Sequence, residues 1–236
     1  MGVTSGVHER AWYLATVALV LGYSATVACS ANTPGPTAPS PGLGTVRPTG
    51  PASGTTTSPQ TKPGVELTVV PHSDGSFDIT ERVLLPRPTD MLQLQLPASG
   101  DQLPGMMAPT KPQVTNLKVV ADDQSVPLET TSVPGADLIP LTVAAAELQL
   151  TYRLSGSTVF ASPSATNRAG AAIRPLTANT DGSLPTTITV TSGLLNAVCP
   201  LLSEPRCAVG DPPHLMVRPD IPAAKALVVL QLDLPR

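Results

Sequence analysis

From Glu66 onward, apolar and polar residues alternate with a period of two, a pattern that builds half-buried strands rather than amphipathic helices. In PHSDGSFDITERVLL, Phe77, Ile79, Val83 and Leu85 alternate with Asp78, Thr80 and Arg82. LQLQL (92–96) alternates cleanly, and ELQLTYRL (147–154) sets Leu148, Leu150, Tyr152 and Leu154 on one face. ELTVV (66–70), VTNLKVV (114–120), LPTTITVT (184–191), HLMVR (214–218) and KALVVLQLDL (225–234) are further strands, bounded by Pro, Gly or Asp. The last is apolar on both faces for part of its length, which predicts a central strand.

Proline sharpens the same conclusion. With 28 prolines and 18 glycines among 236 residues, long helices are excluded, and only Leu141–Glu147 reads as a helical turn. Roughly ten short strands at this spacing predict an all-β domain over residues 65–236, a single sandwich, immunoglobulin-like or related. Its length of about 170 residues suffices for one sizeable core. Aromatics are 3% of the chain, so that core rests on Leu, Val and Ile. Charged residues are 13% and the net charge is −3, with no block of like charge, so no nucleic-acid partner is expected.

The N-terminal 64 residues differ in kind. Ala11 to Ala28 reads AWYLATVALVLGYSATVA without a charge and follows Arg10, as in a secretory signal (1–28). The sequence then reads Thr26-Val27-Ala28-Cys29-Ser30, which resembles a bacterial lipobox, where the cysteine is diacylated and becomes the new N-terminus. Val27 and Ala28 fit that pattern; Thr26 departs from the aliphatic residue the pattern prefers. The chain has three cysteines, an odd number for an exported protein. Cys199 and Cys207 are close enough in sequence to form a disulfide, which leaves Cys29 for lipidation. The other readings are ordinary cleavage after Ala28 or Ala31 with a free thiol, and an uncleaved signal anchor. Residues 29–64 are almost entirely Pro, Gly, Ser, Thr and Ala, and hold too little apolar surface to offset the entropy of ordering. They predict a disordered stalk of about 30 to 35 Å as a coil and about 100 Å fully extended.

The Ala/Thr/Pro-rich composition, with Arg commoner than Lys, points to a high-GC genome and so to an actinobacterial type of lipoprotein. Within the domain, VVPHSDGSFDITERVLLP places an Asp-Gly-Ser turn between two strands, the second carrying Thr-Glu. A Tyr-containing strand (LTYRL), a paired-cysteine segment (CPLLSEPRC) and a closing strand (ALVVLQLDLP) follow. This order resembles the exported N-terminal domain of an uncharacterised family of predicted bacterial membrane proteins. Those proteins continue into a transmembrane helix, whereas the sequence here ends at Arg236. The resemblance implies a β domain outside the membrane and brings no functional residue with it.

Few residues suggest chemistry. Asp74, Ser76 and Asp78 have the spacing of the first ligands of a calcium loop, but the loop's glycine and distal carboxylate are missing; Asp-Gly between strands predicts a hairpin turn. Asn179–Ser183 (NTDGS) predicts another turn. Glu81 falls on the face of Phe77, Ile79 and Val83, where a carboxylate needs a partner such as Arg153. An edge or bulge that turns it to water is the expectation. Cys199, Cys207 and His214 match no common zinc module, and exported cysteines oxidise. Neither His72 nor His214 belongs to a Gly-x-Ser-x-Gly elbow or a His-Glu-x-x-His motif.

No catalytic, cofactor or metal site is therefore expected. The expected function is a non-enzymatic surface module that binds an envelope protein or glycan, held to the outer face of the cell membrane by its lipid. The alternatives are a hydrolase with scattered residues, using His72 or His214 as base, and a secreted protein without an anchor. Two or more acyl chains, at about 0.8 kcal/mol per buried methylene, would hold the protein on the membrane. Wild-type protein is expected in the detergent phase on phase partitioning, with an added diacylglyceryl mass, and Cys29→Ala is expected to lose both. Equal release of both proteins into the medium with unmodified N-termini would overturn the lipobox reading.

Overall fold

The alternation resolves into two sheets packed face to face in an all-β sandwich. The structure, a computed structural model, describes residues 60–236 apart from Met107 and residues 163–166. The expected signal segment, Cys29 and the stalk as far as residue 59 lie outside the described residues.

Strands β1 (Gly64–Pro71) and β2 (Phe77–Leu94) form a hairpin whose turn contains Asp74-Gly75. Gly75 sits at φ +78°, in the left-handed region that favours glycine, and a Cβ there would press on the Phe160 ring at 3.0 Å. β2 pairs with β5 (Asp137–Ser155), and β5 pairs with β3 (Gln113–Ala121), which is followed by β4 (Gln124–Val126). On its other side β1 takes β8 (Pro185–Val190) in parallel, and β8 takes β12 (Ile221–Pro222). The larger sheet therefore runs β12-β8-β1-β2-β5-β3-β4.

The smaller sheet orders β6 (Thr158–Phe160), β7 (Arg168–Ile173), β13 (Val228–Asp233) and β9 (Leu194–Val198) side by side. A short ribbon pairs β10 (Ala208–Val209) with β11 (Met216–Val217). Leu67, Phe77, Ile79 and Leu150 from the larger sheet share one core with Ile173 and Leu230 from the smaller. The central position of β13, between β7 and β9, explains why its sequence is apolar on both faces. Val228, Leu230 and Leu232 enter the main core, while Val229 joins Leu103, Met106, Ala172 and Leu227 in a second cluster.

Three expectations are corrected. LQLQL is not a separate strand: β2 runs on to Leu94, with register shifts between Leu84 and Met91. Pro86 and Pro88 cannot donate to a ladder, so pairing breaks locally, but β5 continues opposite and carries the strand through. Leu141–Glu147 is not helical but part of β5, with Ala145 opposite Thr89 and Pro140 opposite Met91. Cross-strand pairing overrides the helical preference of a segment too short to nucleate. The described residues hold thirteen strands rather than about ten, because β4, β6, β10 and β12 are two- or three-residue pieces without a pattern of their own; HLMVR shrinks to the two-residue β11.

Cys199 and Cys207 form a disulfide, with their Cα atoms 5.8 Å apart and both residues buried. Cys199 N–H donates to Pro205 and Cys207 N–H to Ala197, so the looped segment lies along the free side of β9. In the chain-entropy model, closing about nine residues contributes roughly 2.5 kcal/mol. The paired change Cys199→Ser with Cys207→Ser is expected to lower the unfolding free energy by about that amount, read from urea titration. An unchanged midpoint would show that the loop holds itself.

Candidate functional site

Glu81 is fully buried, contrary to the expectation that a bulge turns it to water. β2 keeps strict alternation there, with Glu81 opposite Leu150 in β5, so its side chain follows Ile79 and Val83 inward. Its partner is not Arg153. The carboxylate accepts from Leu176 N–H at 2.8 Å, from Thr177 N–H at 3.0 Å and from the Thr177 hydroxyl. The Tyr152 hydroxyl donates to it at 3.3 Å. Burial pushes the Glu81 carboxyl above its ordinary value, although all four donors oppose the shift. Burial, and then the neighbouring Glu81 charge, hold the Tyr152 phenol well above its own. The cluster ties β2 to the turn after β7. Its chemistry is that of a clamp.

Arg153 instead faces outward over the hairpin turn, where Asp74 Oδ2 lies at 3.0 Å and Asp78 Oδ1 at 3.5 Å. Asp74 accepts from the Ser76 hydroxyl at 2.5 Å and from Ser76 N–H at 3.0 Å. These bonds, with the Arg153 guanidinium, hold its carboxyl down at about 2. The Asp-Gly segment is thus a braced turn. His72 Nε2 lies 2.8 Å from Asp78 Oδ2, an imidazole–carboxylate pair, but Ser76 is buried and bonded to Asp74. Among the described residues, no hydrogen bond joins His72 or His214 to a serine, threonine or cysteine side chain. No group of three or more His, Cys, Asp or Glu side chains among them is arranged to hold a metal ion. The disulfide removes Cys199 and Cys207 from any zinc set.

A different place has the shape of a binding site. The outer face of the smaller sheet carries a groove of about 420 Å³, with Met106, Val159, Phe160 and Leu195 as apolar walls and Arg168 and Gln231 as polar groups. The 98–106 segment covers only part of this face, through Leu103 and Met106. Of the aromatic residues in the described part, Phe77 and Tyr152 are core, while Phe160 is 48% exposed in this groove. Leu195, 42% exposed, lines it too. Sequence reasoning missed the groove because its walls come from β6, β7, β9, β13 and a loop, none with a motif. The exposed aromatic in a chain so poor in aromatics was the available signal.

No protein-family model matches the chain, and no curated protein matches it. Among solved structures it is similar to an aminopeptidase N family protein from Idiomarina loihiensis, at 10% identity and a TM-score of 0.41. The match covers 72% of this chain and 29% of that one, and so weak a likeness carries no argument about activity.

The Glu81 clamp has a measurable signature. Because the folded carboxyl titrates above its ordinary value of 4.5, the folded state holds this proton more tightly than the unfolded state. Its contribution to stability is therefore full below pH 4.5 and declines as the pH rises through the folded value. Glu81→Gln is expected to remove that decline, visible when unfolding free energies of the two proteins are compared across pH. Parallel curves would refute it. Glu81→Ala strands buried N–H donors and is expected to cost about 3 to 5 kcal/mol.

Proposed function

We propose that this chain is a lipid-anchored protein of the outer face of the cell membrane, whose β domain is a non-enzymatic module that binds an envelope protein or glycan. The observation that carries the reading is the groove on the outer face of the smaller sheet. Its volume of about 420 Å³ suits a ligand site, and it combines an exposed phenyl ring with two polar side chains, Arg168 and Gln231. Exposing the ring costs hydrophobic stabilisation that a partner restores on binding. The lipobox-like Cys29 and the Pro/Gly-rich stretch to residue 64 support a tether that lets the domain reach such a partner. A net charge of −3 supports a partner other than nucleic acid.

A photo-crosslinking residue in place of Leu195, used in intact cells of the producing strain, tests this. The same residue in place of exposed Asp211 is the control. A discrete adduct is expected from position 195 and not from 211. Phe160→Ser is expected to reduce it about tenfold, the equivalent of about 1.4 kcal/mol, without loss of fold. Equal adducts from both positions, or an adduct indifferent to Phe160→Ser, would refute the groove as the binding surface.

A further inference from the structure

A second groove lies away from the first, beside the N-terminal half of β5, with a volume of about 390 Å³. One wall is the segment after β4, with Leu128 and Val133; the other is β5 itself, with Leu138, Ile139 and Pro140. β5 pairs with β2 here, Gln93 opposite Leu138 and Met91 opposite Pro140. Two hydrogen bonds reveal which way the backbone points. Gln93 N–H donates to Thr180 Oγ1 at 3.1 Å, away from β5, and Leu138 N–H donates to the Asp137 side chain at 2.8 Å. Gln93 and Leu138 are therefore a non-hydrogen-bonded pair of the ladder, and so are Met91 and Pro140 two residues on. The carbonyls of Leu138 and Pro140 consequently face the open side of β5.

On that side the acceptors outnumber the strand donors at Leu138 and Pro140, and of the two lining hydroxyls, Thr130 and Thr142, the first donates to Ser132. Leu138 N–H is already taken, Pro140 has none, and across the groove Pro127 has none and Val133 N–H donates to Val114. The charged side chains lining the groove are Glu129 and Asp137, with no lysine, arginine or histidine among its lining residues. Neither carboxylate has a salt bridge among the described residues. Leu138 stands 59% exposed at its mouth. The lack of a free N–H at both Leu138 and Pro140 works against a partner strand that completes the ladder along this edge, which is how an open edge is blunted. The two carboxylates and the two carbonyl oxygens match a group that brings many donors and a positive charge on an aliphatic stem.

We propose that this groove receives an arginine or lysine side chain from an extended segment of a partner polypeptide. The stem covers Leu128 and Leu138, while the cationic head meets Glu129, Asp137 and the two carbonyl oxygens. This site is separate from the Phe160 groove, and its test does not depend on that reading.

The test titrates the full chain with the peptide acetyl-Val-Arg-Val-amide, following side-chain methyl resonances by NMR. Saturable shifts confined to Leu128, Val133, Leu138 and Ile139 are expected, with the citrulline counterpart, which lacks the charge, at least about tenfold weaker. Glu129→Gln with Asp137→Asn, which keeps an acceptor for Leu138 N–H, is expected to weaken the arginine peptide similarly. Equal binding of the citrulline peptide, tighter binding of free spermidine than of the peptide, or no saturation by about 10 mM would each overturn the proposal.

Discussion

The buried carboxylate of Glu81 is the interaction on which the rest of the domain depends. The chain leaves the smaller sheet at Ile173 and enters the larger one at Pro185, and the connection must be held where the two sheets meet. Glu81 grips it at Leu176 and Thr177, Gln93 at the end of β2 donates its N–H to Thr180, and Gln95 just beyond the strand donates its N–H to Leu176 at 2.8 Å. One strand thus pairs with β1 and β5 and also fixes the crossing between layers. A hydrophobic residue at 81 would add apolar area but leave the amides of the turn without acceptors, and a buried unpaired donor costs more than such burial returns.

The same accounting of backbone groups explains how the sheets end. An exposed strand edge is a template for unwanted pairing. β9 is covered by the disulfide-closed segment, β4 and β12 are only two or three residues long, and the open half of β5 carries Pro140 and a self-satisfied Leu138 N–H. Each device removes the same hazard in a different way. The last one also leaves a surface rich in acceptors, so that blunting an edge against strands creates selectivity for cations.

Both grooves lie outside the core, on faces formed where loops or strand halves fail to cover a sheet completely. The Phe160 groove is apolar with Arg168 at its side; the β5 groove is acidic. Their opposite character fits a module that contacts more than one feature of its surroundings.

What the sequence determined by itself is local. Period-two alternation, Asp-Gly turns and scattered prolines dictate strands and hairpins, because side-chain direction and backbone freedom act over a few residues. The two-sided apolar run in β13 told of a central position for the same reason, and the short Cys199–Cys207 spacing told of a closed loop. The face of Glu81 was legible too, but not its fate: its acceptors are used by Leu176 and Thr177, about 95 residues away in sequence. Only the packing of one layer on the other brings that turn to β2. The same packing joined LQLQL to β2 and drew Leu141–Glu147 into β5, since a strand's length is decided by the partner it lies against. Whether a face is core or groove depends on what covers it, and that is a property of the assembled sandwich rather than of any stretch of chain.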